Sequence, residues 1–153
     1  SLPVAKSDAV KARILFAALI ELTQMLAAIP FAILRQSFDM PGNQVGMDAN
    51  IAFFGMSFIM LGIFNLYFFT NYYKSPEKVG RHFAFASVIE FIYLALAEAL
   101  CHALPFFRDK LDTSDPLFLK EKLIILAIGA AIYAALTLLA VKSSCKSFEK
   151  LDF

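Results

Sequence analysis

The chain has 153 residues, of which 59% are hydrophobic and 18% are charged, and its net charge is +1. Soluble domains are only about 45–50% apolar, so this composition excludes an ordinary soluble domain and predicts an integral membrane protein. The near-neutral charge gives no indication of a nucleic-acid partner. The two cysteines, Cys101 and Cys145, have neither CxxC nor zinc-ligand spacing, and neither a metal nor another cofactor is predicted.

Four apolar stretches are long enough to cross a bilayer, which takes about 20 residues of helix. We predict spans at about residues 12–34, 51–73, 83–106 and 123–141. They must be helices because a helix satisfies its backbone polar groups within its own segment. The predicted fold class is therefore all-α, a polytopic bundle of four transmembrane helices forming one domain.

Basic residues are unequally distributed between the two ends of these spans. Nine Lys and Arg lie in the first 13 residues, in the connection between the second and third spans, and in the tail at 142–153, whereas five lie on the other side. Because cytoplasmic segments are richer in Lys and Arg, we predict that both ends of the chain are cytoplasmic.

Glu21, Gln24, Asn65 and Glu90 are polar residues within the predicted spans. Ionisable groups inside a membrane are costly and indicate function. The two carboxyls lie eight and nine residues past the basic flank of their spans, which puts both about 12–13 Å deep. The four side chains can line a substrate path or a proton-sensitive site. Alternatively, the neutral carboxyls donate interhelical hydrogen bonds that hold the bundle together.

Glu98 and His102 have i, i+4 spacing near the outer end of the third span, so they share one helix face. Two side chains are too few for a metal site, and the other histidine, His82, falls at the opposite membrane surface. We therefore predict an interfacial polar pair and no metal. The sequence has no GxSxG, HExxH or phosphate-binding loop, so no enzymatic activity is predicted, and a membrane enzyme built on this pair is the weakest alternative.

The spacing of small residues predicts where helices contact one another, since small residues let neighbouring backbones approach closely. Gly55 and Gly62, together with Asn65, have this role in the second span. In the fourth span Gly129 has it, and alanines also recur at every fourth position, at 127, 131 and 135. We expect these faces to pack within one protomer rather than to form a dimer seam.

The opening "LPVAKSDAVKARILF" resembles the cytosolic stretch between the second and third spans of small ABC-2 type permeases, the membrane subunits of bacterial ABC exporters. The stretches "DANIAFFGM", "FNLYFFTNYYKSPEKVG" and "KSFEKLDF" are similar to later parts of the same family, in the same order. The family usually has six spans. The resemblance therefore implies that these four are the C-terminal portion of a permease, with partners for Glu21 and Glu90 on further helices.

In such permeases this stretch contacts the ATPase, so the resemblance implies a coupling segment at residues 1–11. The residues expected to couple are Leu2, Pro3, Val4, Lys6, Ser7 and Asp8. Pro3 fixes a backbone angle, and Ser7 or Asp8 is expected to cap the following helix. Basic residues beside a span also follow from topology alone, and we assign Lys11 and Arg13 to that cause.

The resemblance further implies an ABC ATPase subunit and a second permease copy or homologue as partners, in the lipid bilayer of a bacterial cell membrane. ATP hydrolysis would be carried out by the partner subunit. The alternative is a stand-alone four-helix membrane protein, such as a small proton-coupled carrier or a scaffold.

Overall fold

A computed structural model describes residues 5–37, 50–106 and 118–150. The helices are α1 (Lys6–Ser37), α2 (Ile51–Lys74), α3 (Val79–Ala103) and α4 (Leu119–Glu149), and a 3₁₀ turn (Pro76–Lys78) joins α2 to α3. All four are long and apolar enough to cross a membrane. The part of the chain described contains no strand. The prediction of an all-α protein with four spans is confirmed.

The helix ends differ from the predicted spans for local reasons. Helix α1 begins at Lys6, where the backbone N–H groups of Asp8 and Ala9 bond to the Ala5 carbonyl. Ser7 and Asp8 thus lie inside the first turn, and the prediction that one of them caps the helix is wrong. Helix α3 ends at Ala103 because Leu104 precedes a proline and is extended, with φ −93° and ψ 126°. Helix α4 continues to Glu149, into the predicted tail.

Helices α2 and α4 form the tightest pair in the bundle, and glycines make the contact possible. A Cβ atom on Gly55 would lie 2.6 Å from the Ile125 carbonyl oxygen, and one on Gly129 would overlap the Gly55 backbone. Further along, a Cβ on Gly62 would lie 3.1 Å from the Tyr133 Cα. The backbones therefore touch, as the glycine positions predicted.

The alanine stripe of the fourth span does not contribute to this contact. Positions 127, 131 and 135 are exposed, whereas Gly129, Tyr133 and Ala140 are buried. The expectation that the alanines pack within the protomer is wrong, because the glycine selects the opposite face of α4 for the closest approach to α2.

Helix α1 packs mainly on α4, and α3 packs on α2, so the helices are neighbours in the order α1, α4, α2, α3. At the basic end of the bundle, Val10, Ile14 and Tyr73 are buried together, with Phe69 and Phe148 packed against them. This core joins α1, α2 and α4. The α2–α3 connection is fixed by His82, whose Nε2 lies 2.8 Å from the Ser75 Oγ.

The outer faces of α1 and α3 are strongly apolar and uncovered. Phe31 is 72% exposed and Phe91 is 71% exposed, and many aliphatic residues of both helices are similar. A surface of this kind is stable in hydrocarbon and unfavourable in water. The chain is therefore a multi-pass membrane protein.

Candidate functional site

Four polar side chains from three helices meet inside the bundle, and we call them the polar cluster: Glu21 of α1, Asn65 of α2, and Tyr133 and Thr137 of α4. Asn65 Nδ2 donates hydrogen bonds to Glu21 Oε1 at 2.9 Å and to Thr137 Oγ1 at 3.2 Å. The Tyr133 hydroxyl donates to the same Glu21 oxygen at 2.9 Å. The cluster thus connects α1 to the α2–α4 pair.

The close packing of α2 and α4 aligns the members of the cluster. Gly62 lies against Tyr133, so Asn65, three residues further along α2, faces α4 as well. Thr137 follows Tyr133 by one turn of α4 and is therefore on the same side. The Tyr133 ring is held by Phe58, with 5.4 Å between ring centroids.

Three of the four members of the cluster are almost fully enclosed, and Thr137 is partly buried. The exposed fraction is 1% for Asn65, 7% for Tyr133 and 9% for Glu21. Buried polar groups are unfavourable unless they are hydrogen-bonded, and the three bonds satisfy most of these atoms. The exception is Asn65 Oδ1, which is buried and has no hydrogen-bond partner among the described residues.

Three members of the cluster, Glu21, Asn65 and Tyr133, lie at a similar depth. Glu21 is eight residues from Arg13, and Asn65 and Tyr133 are each nine residues from the basic residue that follows them, Lys74 or Lys142. At 1.5 Å of rise per residue, these separations correspond to about 12–14 Å. The carboxyl is therefore well inside the hydrocarbon region.

Only two of the four polar residues singled out from the sequence belong to the cluster. Glu21 and Asn65 meet, whereas Gln24 is exposed on α1 and Glu90 is partly exposed on α3. Sequence reasoning missed Tyr133 and Thr137. The position of Tyr133 could have indicated it. Tyrosines in membrane proteins favour the interfacial belts, whereas Tyr133 lies near the middle of its span.

Glu98 and His102 lie close together, but their side chains are too far apart for a hydrogen bond. His102 Nε2 lies 3.9 Å from Glu98 Oε1, and the two side chains are 52% and 39% exposed, respectively. Within the described residues, no group of three or more His, Cys, Asp or Glu side chains is arranged to hold a metal ion. The geometry is that of a loose polar contact at the end of a helix.

Of the residues expected to couple to an ATPase, Leu2, Pro3 and Val4 lie outside the described residues. Lys6, Ser7 and Asp8 form the first turn of α1. The Lys6 Nζ lies 5.9 Å from the centre of the Phe148 ring, and the Ser7 carbonyl accepts a hydrogen bond from the Cys145 thiol at 3.7 Å. The beginning of α1 is thus attached to the end of α4.

An apolar cavity of about 510 Å³ lies between α1 and α2, next to the polar cluster. Leu22, which follows Glu21, and Phe58, which packs on Tyr133, both line it. The other lining residues are Met25, Leu26, Ile29, Ala32, Ile33, Asn50, Ile51, Phe54 and Leu126. The cavity can hold an apolar molecule or chain, and it has a polar group close to one end.

The sequence was compared with protein families, with curated proteins and with solved structures. The model of a family described as ABC-2 family transporter protein matches residues 1–149. Neither a curated protein nor a solved structure gives a significant match. The family match covers nearly the whole chain and agrees with its four membrane-spanning helices, and so this chain belongs to the ABC-2 family of membrane transport permeases.

Proposed function

We propose that the chain is the permease subunit of an ABC exporter in a bacterial cell membrane and that a separate ATPase subunit supplies its energy. The family match carries this proposal, because ABC-2 transporters in general associate with an ABC ATPase. The sequence contains no GxxxxGK[ST] phosphate-binding loop. In this proposal ATP hydrolysis is performed by the partner, and both ends of the chain are cytoplasmic.

The contacts at the basic end of the bundle support a coupling role for residues 2–8. Lys6 and Ser7 contact Phe148 and Cys145 of α4. Nearly two turns further along α1, Arg13 Nη1 donates a hydrogen bond to the Tyr72 hydroxyl of α2 at 3.3 Å. Force applied at the start of α1 would therefore act on α2 and α4 as well, so the three helices would reorient together.

The cavity between α1 and α2 supports an apolar or amphipathic substrate. Its walls are formed almost entirely by aliphatic, Met and Phe side chains, which favour apolar groups. Movement of α1 relative to α2 would change the shape of the cavity, since these two helices have few direct contacts. In this proposal, a second copy or a homologue completes the substrate path.

The proposal is tested by co-purification of the full-length protein with an ABC ATPase encoded beside it. We expect the ATPase to be recovered with the permease. Replacement of Leu2, Pro3 and Lys6 by Ala should reduce the recovered ATPase several-fold. Lys78→Ala is the matched control, because Lys78 is an exposed basic residue in the connection between α2 and α3, which we assign to the same membrane side.

Two results would contradict the proposal. If the triple variant recovers as much ATPase as the control, residues 2–8 do not couple. If transport by the permease continues when the ATPase is absent, the chain instead works as a stand-alone carrier.

A further inference from the structure

One buried acceptor of the polar cluster, Asn65 Oδ1, lacks a hydrogen-bond donor among the described residues. Asn65 is 99% buried, and its Nδ2 group uses its hydrogens on Glu21 Oε1 and Thr137 Oγ1. Its Oδ1 atom has no partner in the described part of the chain. An amide that donates to a carboxyl through its nitrogen and has no donor for its own oxygen has the bonding capacity for a two-bond acid–amide pair, once the acid carries a proton.

An ionised Glu21 cannot supply the missing donor. A carboxylate is an acceptor only, whereas a protonated carboxyl has one O–H donor. The ionised form would also be a charge deep in the membrane, and among the described residues only the neutral groups of Asn65 and Tyr133 donate hydrogen bonds to it. No Lys or Arg of the described residues forms an ion pair with it. Two neutral donors offset only part of the cost of removing a carboxylate from water.

A neutral Glu21 completes the cluster. Its Oε1 atom accepts from Asn65 Nδ2 and from Tyr133, and a proton on Oε2 can be donated to Asn65 Oδ1. All the polar atoms that Asn65 presents are then bonded, as buried polar groups generally are. The same arrangement leaves no net charge within the polar cluster.

The groups that face Glu21 from the neighbouring helices agree with this assignment. From α2 it meets Asn65, which does not titrate, and from α4 it meets Tyr133, which donates its hydroxyl proton. From α3 the acid Glu90 interacts with it electrostatically. None of these is a cation that would stabilise a carboxylate.

We propose that Glu21 is a proton-binding site inside the membrane, occupied while α1 is packed on α2 and α4 through the acid–amide pair with Asn65. When α1 separates from these helices, water reaches the carboxyl and the proton is released to it. Because the protonated pair is neutral, α1 can separate from α2 and α4 without leaving a charge in hydrocarbon. Proton binding stands independently of the proposed function, and only the release step depends on ATPase-driven movement of α1.

Infrared difference spectroscopy of the full protein in lipid nanodiscs at pH 7 tests proton binding. Exposed Glu side chains ionise near pH 4.3, so at pH 7 they contribute carboxylate bands. The spectrum of the wild type minus that of Glu21→Gln should contain a carboxylic-acid C=O band that shifts in D₂O. Glu21→Gln keeps the shape and the acceptor oxygen of Glu21, so its helical content should match that of the wild type.

Two further variants make the assignment specific. In Asn65→Leu the Glu21 band should shift, because the acid loses its amide partner, whereas in Glu90→Gln it should remain in place. If Glu21→Gln removes only carboxylate bands and no acid band, Glu21 is ionised and the proposal is wrong.

The release step is tested on the complex with its ATPase. Trapping the ATPase with ATP and vanadate should reduce the Glu21 acid band and raise a carboxylate band, and Glu21→Gln should abolish both changes. An unchanged band in a complex that hydrolyses ATP would overturn release. A failure to isolate any ATPase complex would instead count against the proposed function and would leave the measurement on the permease alone to decide proton binding.

Discussion

The contact between Gly55 and Gly129 determines how closely α2 and α4 approach, and Gly129→Ala tests it. A Cβ at this position would overlap the Gly55 carbonyl oxygen and lie 2.7 Å from the Gly55 carbonyl carbon. The colliding atoms belong to the backbone, so no side-chain rotation relieves the overlap and the helices must move apart. Overpacking of this kind costs about 1–3 kcal/mol of unfolding free energy.

The chain offers a matched control in Gly80→Ala. Gly80 is also helical, and a Cβ there would meet no atom within 4 Å. Gly129 lies in the interior of α4, where Ala gains up to about 1 kcal/mol of helix propensity over Gly, and Gly80, in the first turn of α3, gains no more than that. The difference between the two variants is therefore a lower limit on the packing penalty, and we expect Gly129→Ala to be less stable than Gly80→Ala by about 1–3 kcal/mol.

Equilibrium unfolding in mixed micelles, followed by circular dichroism, measures this difference. Gly80→Ala should be as stable as the wild type or slightly more stable. The hydrogen bond between Asn65 and Thr137, at 3.2 Å, should also weaken in Gly129→Ala because α4 is displaced. Equal stability of the two variants would refute the close α2–α4 contact.

Three other substitutions are expected to have graded effects on the unfolding free energy. Tyr133→Phe removes the hydroxyl bonded to Glu21 but keeps the ring against Phe58, so it should cost about 0.6 kcal/mol and at most about 1.7; no change would mean that the bond contributes nothing. Ile14→Ala empties a site that is 1% exposed and should cost about 2–5 kcal/mol; a loss below about 1 kcal/mol would contradict its burial between α1, α2 and α4. His102→Ala removes a 3.9 Å contact between two exposed side chains and should change the stability by less than about 0.5 kcal/mol, whereas a larger loss would indicate a bonded role for the pair.

The sequence predicts the elements of this fold well because each span must satisfy its own backbone in lipid. It also identifies Gly55, Gly62 and Gly129 as contact positions, since a glycine in an apolar span lets a neighbouring helix backbone approach closely. It does not say which face of α4 carries the contact. The alanine stripe is as plausible as the glycine face until the position of α2 is known, and the structure selects the glycine.

The site is less predictable because it depends on helix order. Glu21 and Asn65 are conspicuous as polar residues in apolar spans, but Gln24 and Glu90 are equally conspicuous and lie outside the cluster. Glu21 and Gln24 lie at different angular positions around the axis of α1. Gln24 is on the exposed face, whereas Glu21 faces α4 and α2. Tyr133 and Thr137 become functional candidates only when α4 is placed between α1 and α2.

The central claim is that Glu21 joins α1 to the α2–α4 pair through Asn65, and a double-mutant cycle tests it most directly. Unfolding free energies of Glu21→Ala, Asn65→Ala and the double variant should give a coupling energy of about 0.6–1.7 kcal/mol, the range of interhelical hydrogen bonds in membranes. The control cycle of Gln24→Ala with Asn65→Ala should be additive within about 0.5 kcal/mol, because Gln24 is exposed on α1. If the Glu21–Asn65 cycle is as additive as the control cycle, the two side chains do not interact and the polar cluster does not hold α1 in place.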